Sequence, residues 1–267
     1  MHQPATTHAE MRPRGTRRVA LVTGAARGIG AEIATRLSRD GYRVVVCDVD
    51  VEGARRTAEG LAGDAIAVTA DVSDAAAVAR MAATVIAQVG DPDVLVNNAG
   101  VISAAPFLEL AEAEWDRIVR INLKSQYLCA QAVLPGMRRH GWGRIVNIAS
   151  DAGKTGEPFI AHYCASKFGV IGLTQSLALE FAGEGITVNA ICPAITDTHM
   201  MDQLARQMEG SAPAPSGGWR KAFVDEIPMG RAMRPSDIAE VCAFLVSDAA
   251  SAISGQAINV SGAHEVH

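Results

Sequence analysis

Short apolar runs alternate with longer amphipathic stretches along most of this chain. The runs are continuous and rich in Val and Ile, which is typical of strands that are buried on both faces of a parallel sheet. They predict strands at 19–23, 42–47, 65–70, 93–96, 144–149, 187–191 and 256–260, and helices at 31–40, 52–61, 74–89, 111–136, 163–181 and 235–247. This order predicts a single α/β domain over residues 17–267, built on a doubly wound parallel sheet.

The first predicted strand leads into a glycine-rich turn, Gly24-Ala-Ala-Arg-Gly28-Ile-Gly30. Glycines between a strand and a helix let the backbone approach a pyrophosphate, whose charge the helix N-terminus stabilises, so the turn indicates a Rossmann-type dinucleotide site. Asp48 ends the second strand, about 20 residues past the glycines, where an acidic side chain can bind the adenosine ribose hydroxyls. A helix-capping role for Asp48 is the alternative.

The composition excludes several classes of partner. Apolar residues make up 49% of the chain and charged residues 20%, which describes a filled core and not a disordered chain. The formal net charge is −5 and the chain has no Lys/Arg stripe, so neither nucleic acid nor an anionic membrane is expected as a partner. No apolar run approaches the ~20 residues of a membrane helix and residues 1–18 lack a secretory signal, so we expect a cytoplasmic protein.

Residues 1–16 are rich in Pro, Thr and Arg and are predicted to form a flexible tail, whose basic cluster we interpret as a solvated arm. The five cysteines are widely spaced and lie in apolar contexts, which indicates buried thiols in a reducing compartment. The seven histidines show no metal-ligand spacing, so no metal site is expected.

One short segment carries candidate catalytic chemistry. Tyr163 and Lys167 are four residues apart, so a helix would place them side by side. A phenol titrates near pH ~10, and a neighbouring ammonium lowers that pKa and makes Tyr a usable general acid or base at neutral pH. Ser150, at the end of the fifth predicted strand, could hydrogen-bond a substrate oxygen and hold it at the Tyr hydroxyl. A surface Tyr and Lys one turn apart is the alternative.

Four motifs together resemble the short-chain dehydrogenase/reductase family: Thr23-Gly-x-x-x-Gly-Ile-Gly30, Asn97-Asn-Ala-Gly100, Ser150 and Tyr163-x-x-x-Lys167. The resemblance covers about residues 17–262 and implies one Rossmann-type domain that moves a hydride between NAD(P) and an alcohol or carbonyl. It implies that Tyr163 is the acid/base and that Ser150 orients the substrate oxygen. Lys167 would lower the Tyr pKa and bind the nicotinamide ribose, and Asn122 would kink a helix and hold a water in the proton relay.

The same resemblance implies a set of cofactor contacts. The residues of the glycine turn that would cradle the cofactor are Gly24, Arg27, Gly28, Ile29 and Gly30. Asp71 and Val72 would lie at the adenine, and Asn98, Ala99 and Gly100 along the ribose–nicotinamide half. Three more contacts would follow the sixth strand, at Pro193, Ile195 and Thr198. Two departures from the family pattern stand out. Ala194 replaces the usual Gly after Pro193, which fits only if that position does not need a positive φ. Ser261-Gly262-Ala263 replaces a common Asp-Gly-Gly.

We predict NAD as the cofactor, because the Asp48 carboxylate would repel the 2′-phosphate of NADP. Arg27 argues the other way, since relatives that use NADP often carry a basic residue at that position. The substrate is expected to be a polyol, sugar or small hydroxy compound. One alternative is a 3-oxoacyl-carrier-protein reductase that uses NADPH and has a basic patch for its acidic partner. A distant alternative is a catalytically silent regulator that senses the cofactor.

Segment 199–227 interrupts the strand–helix alternation and contains Ser211-Ala-Pro-Ala-Pro-Ser-Gly-Gly218, so it is predicted to be a substrate lid. Its apolar residues would close over the substrate: Met200, Met201, Leu204, Met208, Trp219 and Phe223. Polar reach from Glu157 or His162 into the pocket would favour a hydroxylated substrate. The helices at 111–136 and 163–181 carry more apolar surface than one sheet can cover, so we expect a homotetramer.

Overall fold

The computed structural model describes residues 17–267, so the predicted tail at 1–16 lies outside the described residues. The described part contains the strands β1 (Val19–Thr23), β2 (Arg43–Asp48), β3 (Ile66–Thr69), β4 (Val94–Asn97), β5 (Gly143–Ile148), β6 (Ile186–Pro193) and β7 (Ala257–Val260). They form one parallel sheet in the order β3-β2-β1-β4-β5-β6-β7. The strand order reverses between β1 and β4, and ligands of doubly wound sheets bind at such a switch point.

The helices cover both faces of this sheet. Their bounds are α1 (Gly28–Arg39), α2 (Val51–Gly60), α3 (Ala75–Val89), α4 (Glu112–Val119), α5 (Ser125–His140), α6 (Ala161–Phe181), α7 (His199–Ser211), α8 (Trp219–Asp225) and α9 (Pro235–Val246). Helices α1, α2 and α9 pack on one face, against strand residues such as Val22 and Val46. Helices α3, α5 and α6 pack on the other face, against alternate strand residues such as Leu21 and Val45. The strands are therefore buried on both sides, which confirms the predicted doubly wound α/β fold.

Two helix predictions are corrected. The segment predicted as one helix at 111–136 is α4 and α5, joined by a π-helical turn at Arg120–Lys124, and α5 continues to His140 with Pro135 inside it. Segment 199–227 is mostly helical and not an irregular loop, because it forms α7 and α8 around a short connection. Leu204, Ala205 and Met208 repeat at helical spacing and are buried, and this face holds α7 against the domain.

No helix within residues 17–267 has the length and apolar character needed to cross a membrane.

Candidate active site

Strand β5 and helix α6 bring the three predicted catalytic side chains together. Ser150 follows β5 and begins a short 3-10 turn at Asp151–Gly153, and Tyr163 and Lys167 occupy the first two turns of α6. The exposed fractions are 7% for Ser150, 9% for Tyr163 and 4% for Lys167. A tyrosine and a lysine that are both buried cannot be a chance surface pair, so the alternative interpretation of this motif is ruled out.

Lys167 extends back toward the sheet. Its Nζ donates a hydrogen bond of 2.8 Å to the carbonyl of Ile148 at the end of β5 and lies 5.5 Å from the centroid of the Tyr163 ring. Burial lowers the pKa of Lys167 from its ordinary value of 10.5 to about 8, since desolvation disfavours the charged form of a lysine. The ammonium is thus held in a fixed place at considerable electrostatic cost.

The environment of Tyr163 differs from the sequence-based expectation. Burial raises the pKa of its phenol above the ordinary value of 10, and a side-chain hydrogen bond with Ser150 acts in the opposite direction. The negative charge of Asp151 adds to the rise. The expectation of a lowered Tyr163 pKa therefore does not hold for the protein alone, because desolvation of the phenolate outweighs the hydrogen bond from Ser150.

Asn122 lies at the centre of the π-helical turn and is fully buried. Its Oδ1 accepts a 2.8 Å hydrogen bond from the amide of Val101, while its Nδ2 donates to the carbonyl of Val101 at 2.9 Å and to Ser166 Oγ at 3.1 Å. The turn thereby links the segment after β4 to the helix of Tyr163. A π-helical turn leaves the regular backbone hydrogen-bond ladder and is frequent at functional sites.

The glycine turn after β1 provides a cradle at the N-terminus of α1. Gly24 and Gly28 have φ of +62° and +61°, and a Cβ on Gly30 would lie 2.4 Å from Asn98 Nδ2 and from the Gly24 carbonyl oxygen. The residue before α1, Arg27, makes no side-chain cap and is exposed. The first amides of α1 therefore have no capping side chain and suit an anion, so these residues fit the pyrophosphate of a dinucleotide.

Two further predicted cofactor residues line this cradle. A Cβ on Gly28 would meet the side chain of Thr198 at 3.7 Å, so the start of α7 faces the glycine turn. Ile29 packs against the apolar core under α1. Ile195, three residues before Thr198, packs against the same cluster. The turn and the segment after β6, distant in sequence, thus meet at one edge of the sheet.

Asp48 stands beside the cradle at the end of β2. Its two carboxylate oxygens accept hydrogen bonds from the backbone amides of Ala26 at 2.9 Å and Asp50 at 3.0 Å. The residue that caps α2 is Asp50, whose Oδ1 accepts from the amide of Gly53 at 3.0 Å. The alternative in which Asp48 is the helix cap is therefore wrong, and Asp48 instead holds the glycine turn against β2.

The ends of β3 and β4 complete this edge. Asp71 is exposed, and hydrogen bonds from Ser73 lower its pKa, while Val72 is buried. Asn98 Nδ2 donates to the carbonyls of Thr23 and Gly24, both at 2.9 Å. The side chain of Asn98 therefore braces the glycine turn.

The next residues connect the dinucleotide edge to the catalytic group. The amide of Ala99 donates to Thr23 Oγ1 at 3.1 Å. A Cβ on Gly100 would lie 3.3 Å from Asn122 Oδ1 and 3.7 Å from Lys167 Nζ. Gly100 thus faces the helix of the catalytic pair, where a side chain would crowd both polar groups.

The segment after β6 accommodates its departure from the family pattern. Pro193 ends β6 in a fully buried stretch, and the amide of the next residue, Ala194, donates to the carbonyl of Val260. Within residues 17–267 the non-glycine residues with a positive φ are Phe159 and Ala263. Ala194 is therefore tolerated, whereas Ala263 adopts the left-handed conformation for which glycine is better suited.

Tyr163 belongs to an apolar cluster. Its buried members include Ile118, Ile160, Leu204 and Met208, and it is extended by Met201, Trp219 and Phe223 from α7 and α8. Five of the six predicted lid residues thus contact the group around Tyr163, whereas Met200 is 37% exposed. His162 is buried and bonds to Ser103 Oγ at 2.8 Å, while Glu157 is exposed. The reach of Glu157 and His162 into the substrate pocket stays a prediction.

Sequence reasoning missed three residues that the structure brings to the site. Thr23 Oγ1 accepts hydrogen bonds from the backbone amides of Asn98 and Ala99, both at 3.1 Å, and so joins the end of β1 to the segment after β4. Asp151 accepts a 2.9 Å hydrogen bond from Ser150 Oγ and lies 3.1 Å from the Nδ1 atom of His264. Only the adjacency of Asp151 to Ser150 is a sequence signal, because His264 is 113 residues further along the chain.

Comparison with known proteins agrees with this geometry. A model of the short chain dehydrogenase family matches residues 18–209. The chain is 40% identical over 250 residues to a 3-oxoacyl-[acyl-carrier-protein] reductase of Staphylococcus aureus, covering 91% of this chain and 96% of the relative. It is 37% identical over 246 residues to a sorbitol dehydrogenase of Cereibacter sphaeroides, with coverages of 92% and 96%.

Two solved structures have the same fold. A structure of actinorhodin polyketide ketoreductase with NADPH matches with a TM-score of 0.87 at 40% identity, covering 94% of this chain and 98% of that one. A 3-ketoacyl-(acyl-carrier-protein) reductase from Brucella melitensis complexed with NADH matches with a TM-score of 0.86 at 35% identity, with coverages of 94% and 99%. The family match, these relatives and the shared fold lead to one conclusion: the chain belongs to the short-chain dehydrogenase family and is an oxidoreductase.

Proposed function

We propose that this protein transfers a hydride between NAD and a secondary alcohol or ketone. The observation that carries the proposal is the meeting of Ser150, Tyr163 and Lys167 at the same sheet edge as the glycine cradle. The family match and the nicotinamide cofactors named for two related structures support the reaction class. When bound, the nicotinamide ring supplies the hydride acceptor or donor, and the protein supplies orientation and the proton path.

The side chains of this protein divide the proton chemistry among them. In the oxidation direction the Tyr163 phenolate takes the hydroxyl proton of the alcohol, and in reduction the phenol returns it to the carbonyl oxygen. Lys167, fixed on the carbonyl of Ile148, holds its positive charge near the phenolate and lies beside Gly100, where the nicotinamide ribose would bind. Ser150 fixes the substrate oxygen at the Tyr163 hydroxyl, which makes proton transfer unimolecular.

Asp48 supports a preference for NAD over NADP. Its carboxylate is fixed by two backbone amides next to the glycine turn, so it cannot swing away from an adenosine ribose. A 2′-phosphate at that place would meet a fixed negative charge. Arg27 is exposed and has no side-chain cap role, which makes it the residue available to a 2′-phosphate. We give Asp48 more weight, because a fixed charge at contact distance acts more strongly than a solvated one.

We propose a polyol, sugar or small hydroxy compound as the substrate, with an oxoacyl group on a carrier protein as the second candidate. The relatives support both classes equally. The charges near the lid favour the first candidate. Arg220 on α8 is paired with Asp197 and Asp202, and Arg231 is paired with Asp237. These arginines are compensated, so they offer little attraction to an acidic carrier protein.

We also propose that segment 199–227 is a lid that excludes water from the site. Leu204 and Met208 are buried against the cluster of Tyr163, and Trp219 packs on Phe223 with ring centroids 5.8 Å apart. The connection at 212–218 is rich in Pro and Gly. Backbone rotation at these few residues would let α7 and α8 move relative to the rest of the domain. An apolar cover over Tyr163 strengthens its hydrogen bonds to a substrate.

We further propose that the protein assembles as a homotetramer and works in the cytoplasm. Helices α5 and α6 leave large apolar side chains exposed, namely Tyr127 (46%), Phe168 (46%) and Leu179 (87%). Burial of this surface between subunits is the main driving force for such assembly. The five free, buried cysteines support a reducing compartment. Light scattering at micromolar concentration tests the assembly, and a monomer would refute it.

Turnover measurements with both cofactors test the proposed function. A panel of polyols, small secondary alcohols and 3-oxoacyl thioesters is assayed by nicotinamide absorbance, and we expect a higher kcat/KM with NAD than with NADP. Asp48→Ala should reduce this ratio by about tenfold or more, the equivalent of ~1.4 kcal/mol of lost repulsion and ribose binding. Asp50→Asn is the matched control, because it removes a neighbouring charge but keeps the α2 cap. A wild type that prefers NADP would contradict the assignment of Asp48.

A further inference from the structure

The C-terminal segment 261–267 packs on the loop that follows Ser150. We propose that His264 in this segment and Asp151 in the loop are positioning residues for Ser150, and that Asp151 also sets the electrostatic field at Tyr163. The proposal rests on the proposed function, because it assigns Asp151 and His264 a role only through the catalytic group. It makes segment 261–267 a part of the active site.

A continuous set of contacts connects His264 to the catalytic serine. Ser150 Oγ donates to Asp151 Oδ1 at 2.9 Å, and Asp151 Oδ2 lies 3.1 Å from His264 Nδ1. The other ring nitrogen of His264 lies 3.7 Å from a carboxylate oxygen of Glu226, directly after α8. Asp151 and His264 have side chains exposed by 15% and 21%, whereas Glu226 is 66% exposed. The inner pair is therefore well shielded, and the outer contact is worth little.

The segment is built to hold His264 in this place. Ala263 has a φ of +69°, a conformation that costs an L-residue about 1–2 kcal/mol, and the amide of His264 donates to the carbonyl of Ser261 at 3.1 Å. Thr155 Oγ1 donates to the carboxylate of Glu265, and Lys154 Nζ donates to the carbonyl of His267 at 2.8 Å. The loop after Ser150 and the C-terminal segment are thus joined at several points, and the strain at Ala263 is maintained by these bonds.

This arrangement decides what Ser150 offers to a substrate. A hydroxyl has one proton, which Ser150 can donate either to Asp151 or to a Tyr163 phenolate; while it is donated to Asp151, Ser150 Oγ presents its lone pairs. An alcohol can donate to those lone pairs directly. A carbonyl needs the Ser150 proton, which must then turn away from Asp151. When Ser150 turns away, Asp151 Oδ1 keeps the 2.8 Å hydrogen bond from the amide of Ala152, and His264 keeps Asp151 Oδ2 hydrogen-bonded, so both carboxylate oxygens stay satisfied.

Asp151 follows Ser150 in the chain and accepts its hydroxyl proton, and Ser150 also hydrogen-bonds Tyr163, so the Asp151 carboxylate is placed to act on Tyr163 through its charge. Its carboxylate raises the pKa of the phenol, in the same direction as burial does. The charged or titratable groups that face His264 are Asp151, Glu157 and Glu226, and the hydrogen bond with Asp151 is the main cause that raises the pKa of His264 above 6.5. Below its pKa His264 carries a positive charge that compensates Asp151. At higher pH the neutral ring still donates to Asp151 but no longer compensates its charge.

Four variants separate positioning from a purely structural role. His264→Ala should lower kcat/KM for the substrate about tenfold, the effect of losing one hydrogen bond to a charged group, with NAD affinity and thermal midpoint nearly unchanged. His264→Gln, which keeps a donor, should recover activity to within about threefold of wild type. Glu226→Gln is the matched control and should change kcat/KM less than twofold, since that contact is long and exposed. Asp151→Asn should move the half-maximal pH of alcohol oxidation down, because the charge that raises the Tyr163 pKa is gone.

Several results would overturn the proposal. Activity of His264→Ala within twofold of wild type would show that His264 positions nothing. Equal losses of kcat/KM and NAD affinity in both His264 variants would show a structural role only. An unchanged pH profile in Asp151→Asn would remove the electrostatic part of the proposal.

A readout that needs no turnover keeps the inference distinct from the proposed function. In an NMR titration of the full chain, the His264 resonance, identified by its absence in His264→Gln, should show a pKa above 6.5 that falls in Asp151→Asn. Equal values in both proteins would contradict the pairing. Lack of turnover by wild type with either cofactor would instead contradict the proposed function, whatever this titration shows.

Discussion

Replacing Lys167 by Met should make the protein more stable at neutral pH while it removes activity. Lys167 is 4% exposed, and its ammonium donates a hydrogen bond to the carbonyl of Ile148. The folded protein therefore holds a positive charge where water solvates it poorly. The lowered pKa of Lys167 measures the free-energy cost of that burial. Met has a similar length and no charge, and it adapts to irregular cavities. Lys167→Met therefore removes the free-energy cost of the buried charge, and it removes the catalytic role of the lysine as well.

The magnitude follows from the shift of the lysine pKa from 10.5 to about 8. At about 1.4 kcal/mol per tenfold change in acidity, this shift amounts to about 3 kcal/mol of destabilisation whenever the lysine is charged. The carbonyl of Ile148 loses its donor in the variant, which costs about 1–2 kcal/mol. The net gain is about 1–2 kcal/mol, or a rise in Tm of about 2–6 °C for a domain of this size.

The sign of the pH dependence makes the prediction specific. Below pH 8 the lysine is charged in both the folded and the unfolded state, so wild type bears the full cost of burial. Between about 8 and 10.5 the unfolded state binds more protons than the folded state, so the stability of wild type rises with pH relative to the variant. The advantage of Lys167→Met should therefore shrink from pH 7 to pH 10.

Thermal or urea unfolding at pH 7, 8.5 and 10 measures this difference, with Lys221→Met as the control. Lys221 is a lysine of α8 whose side chain is 61% exposed and pairs with Asp225, so its replacement should have little effect at any pH. The reasoning would be refuted by a Lys167→Met protein that is less stable than wild type at pH 7, or by a stability difference that does not change with pH.

Two further predictions concern the C-terminal segment and the lid. Ala263→Gly should raise the urea midpoint by an amount worth about 0.5–1 kcal/mol, because release from a φ of +69° exceeds the entropy cost of glycine; a lower midpoint would contradict the strain argument. Shortening 209–218 to a few residues, which spares the buried Met208, should raise the substrate KM or lower kcat while NAD affinity changes less than about twofold. Unchanged kinetics would show that the segment is a passive insertion.

The sequence predicts the fold well because the buried strands are continuous apolar runs. In β2, Val44, Val45 and Val46 are buried on alternate faces of the sheet, so no polar position interrupts the pattern there. The π-helical turn around Asn122 could not be found by periodicity, because the apolar pattern passes through it without a break. The helices α7 and α8 were missed because a Pro- and Gly-rich connection dominates the appearance of their segment.

The candidate site was predictable where its residues are close in sequence or stand at strand ends. Tyr163 and Lys167 share a helix, and the glycine turn follows a strand directly. The pairing of Asp151 with His264 depends on a C-terminal segment that returns to the loop after β5, which no local pattern shows. The direction of the Tyr163 pKa was also beyond the sequence, because it depends on how completely the ring is buried.

The central claim, that Tyr163 transfers the proton, is tested most directly by Tyr163→Phe. The phenylalanine ring should keep the packing against the apolar cluster, so NAD affinity and thermal stability should stay close to those of wild type. Loss of the hydroxyl removes the general acid/base, which typically contributes ~10²–10⁴-fold to the rate. The account therefore predicts a kcat below about a hundredth of the wild-type value with an unchanged Kd for NAD. A Tyr163→Phe protein that retains more than that fraction of kcat would contradict it.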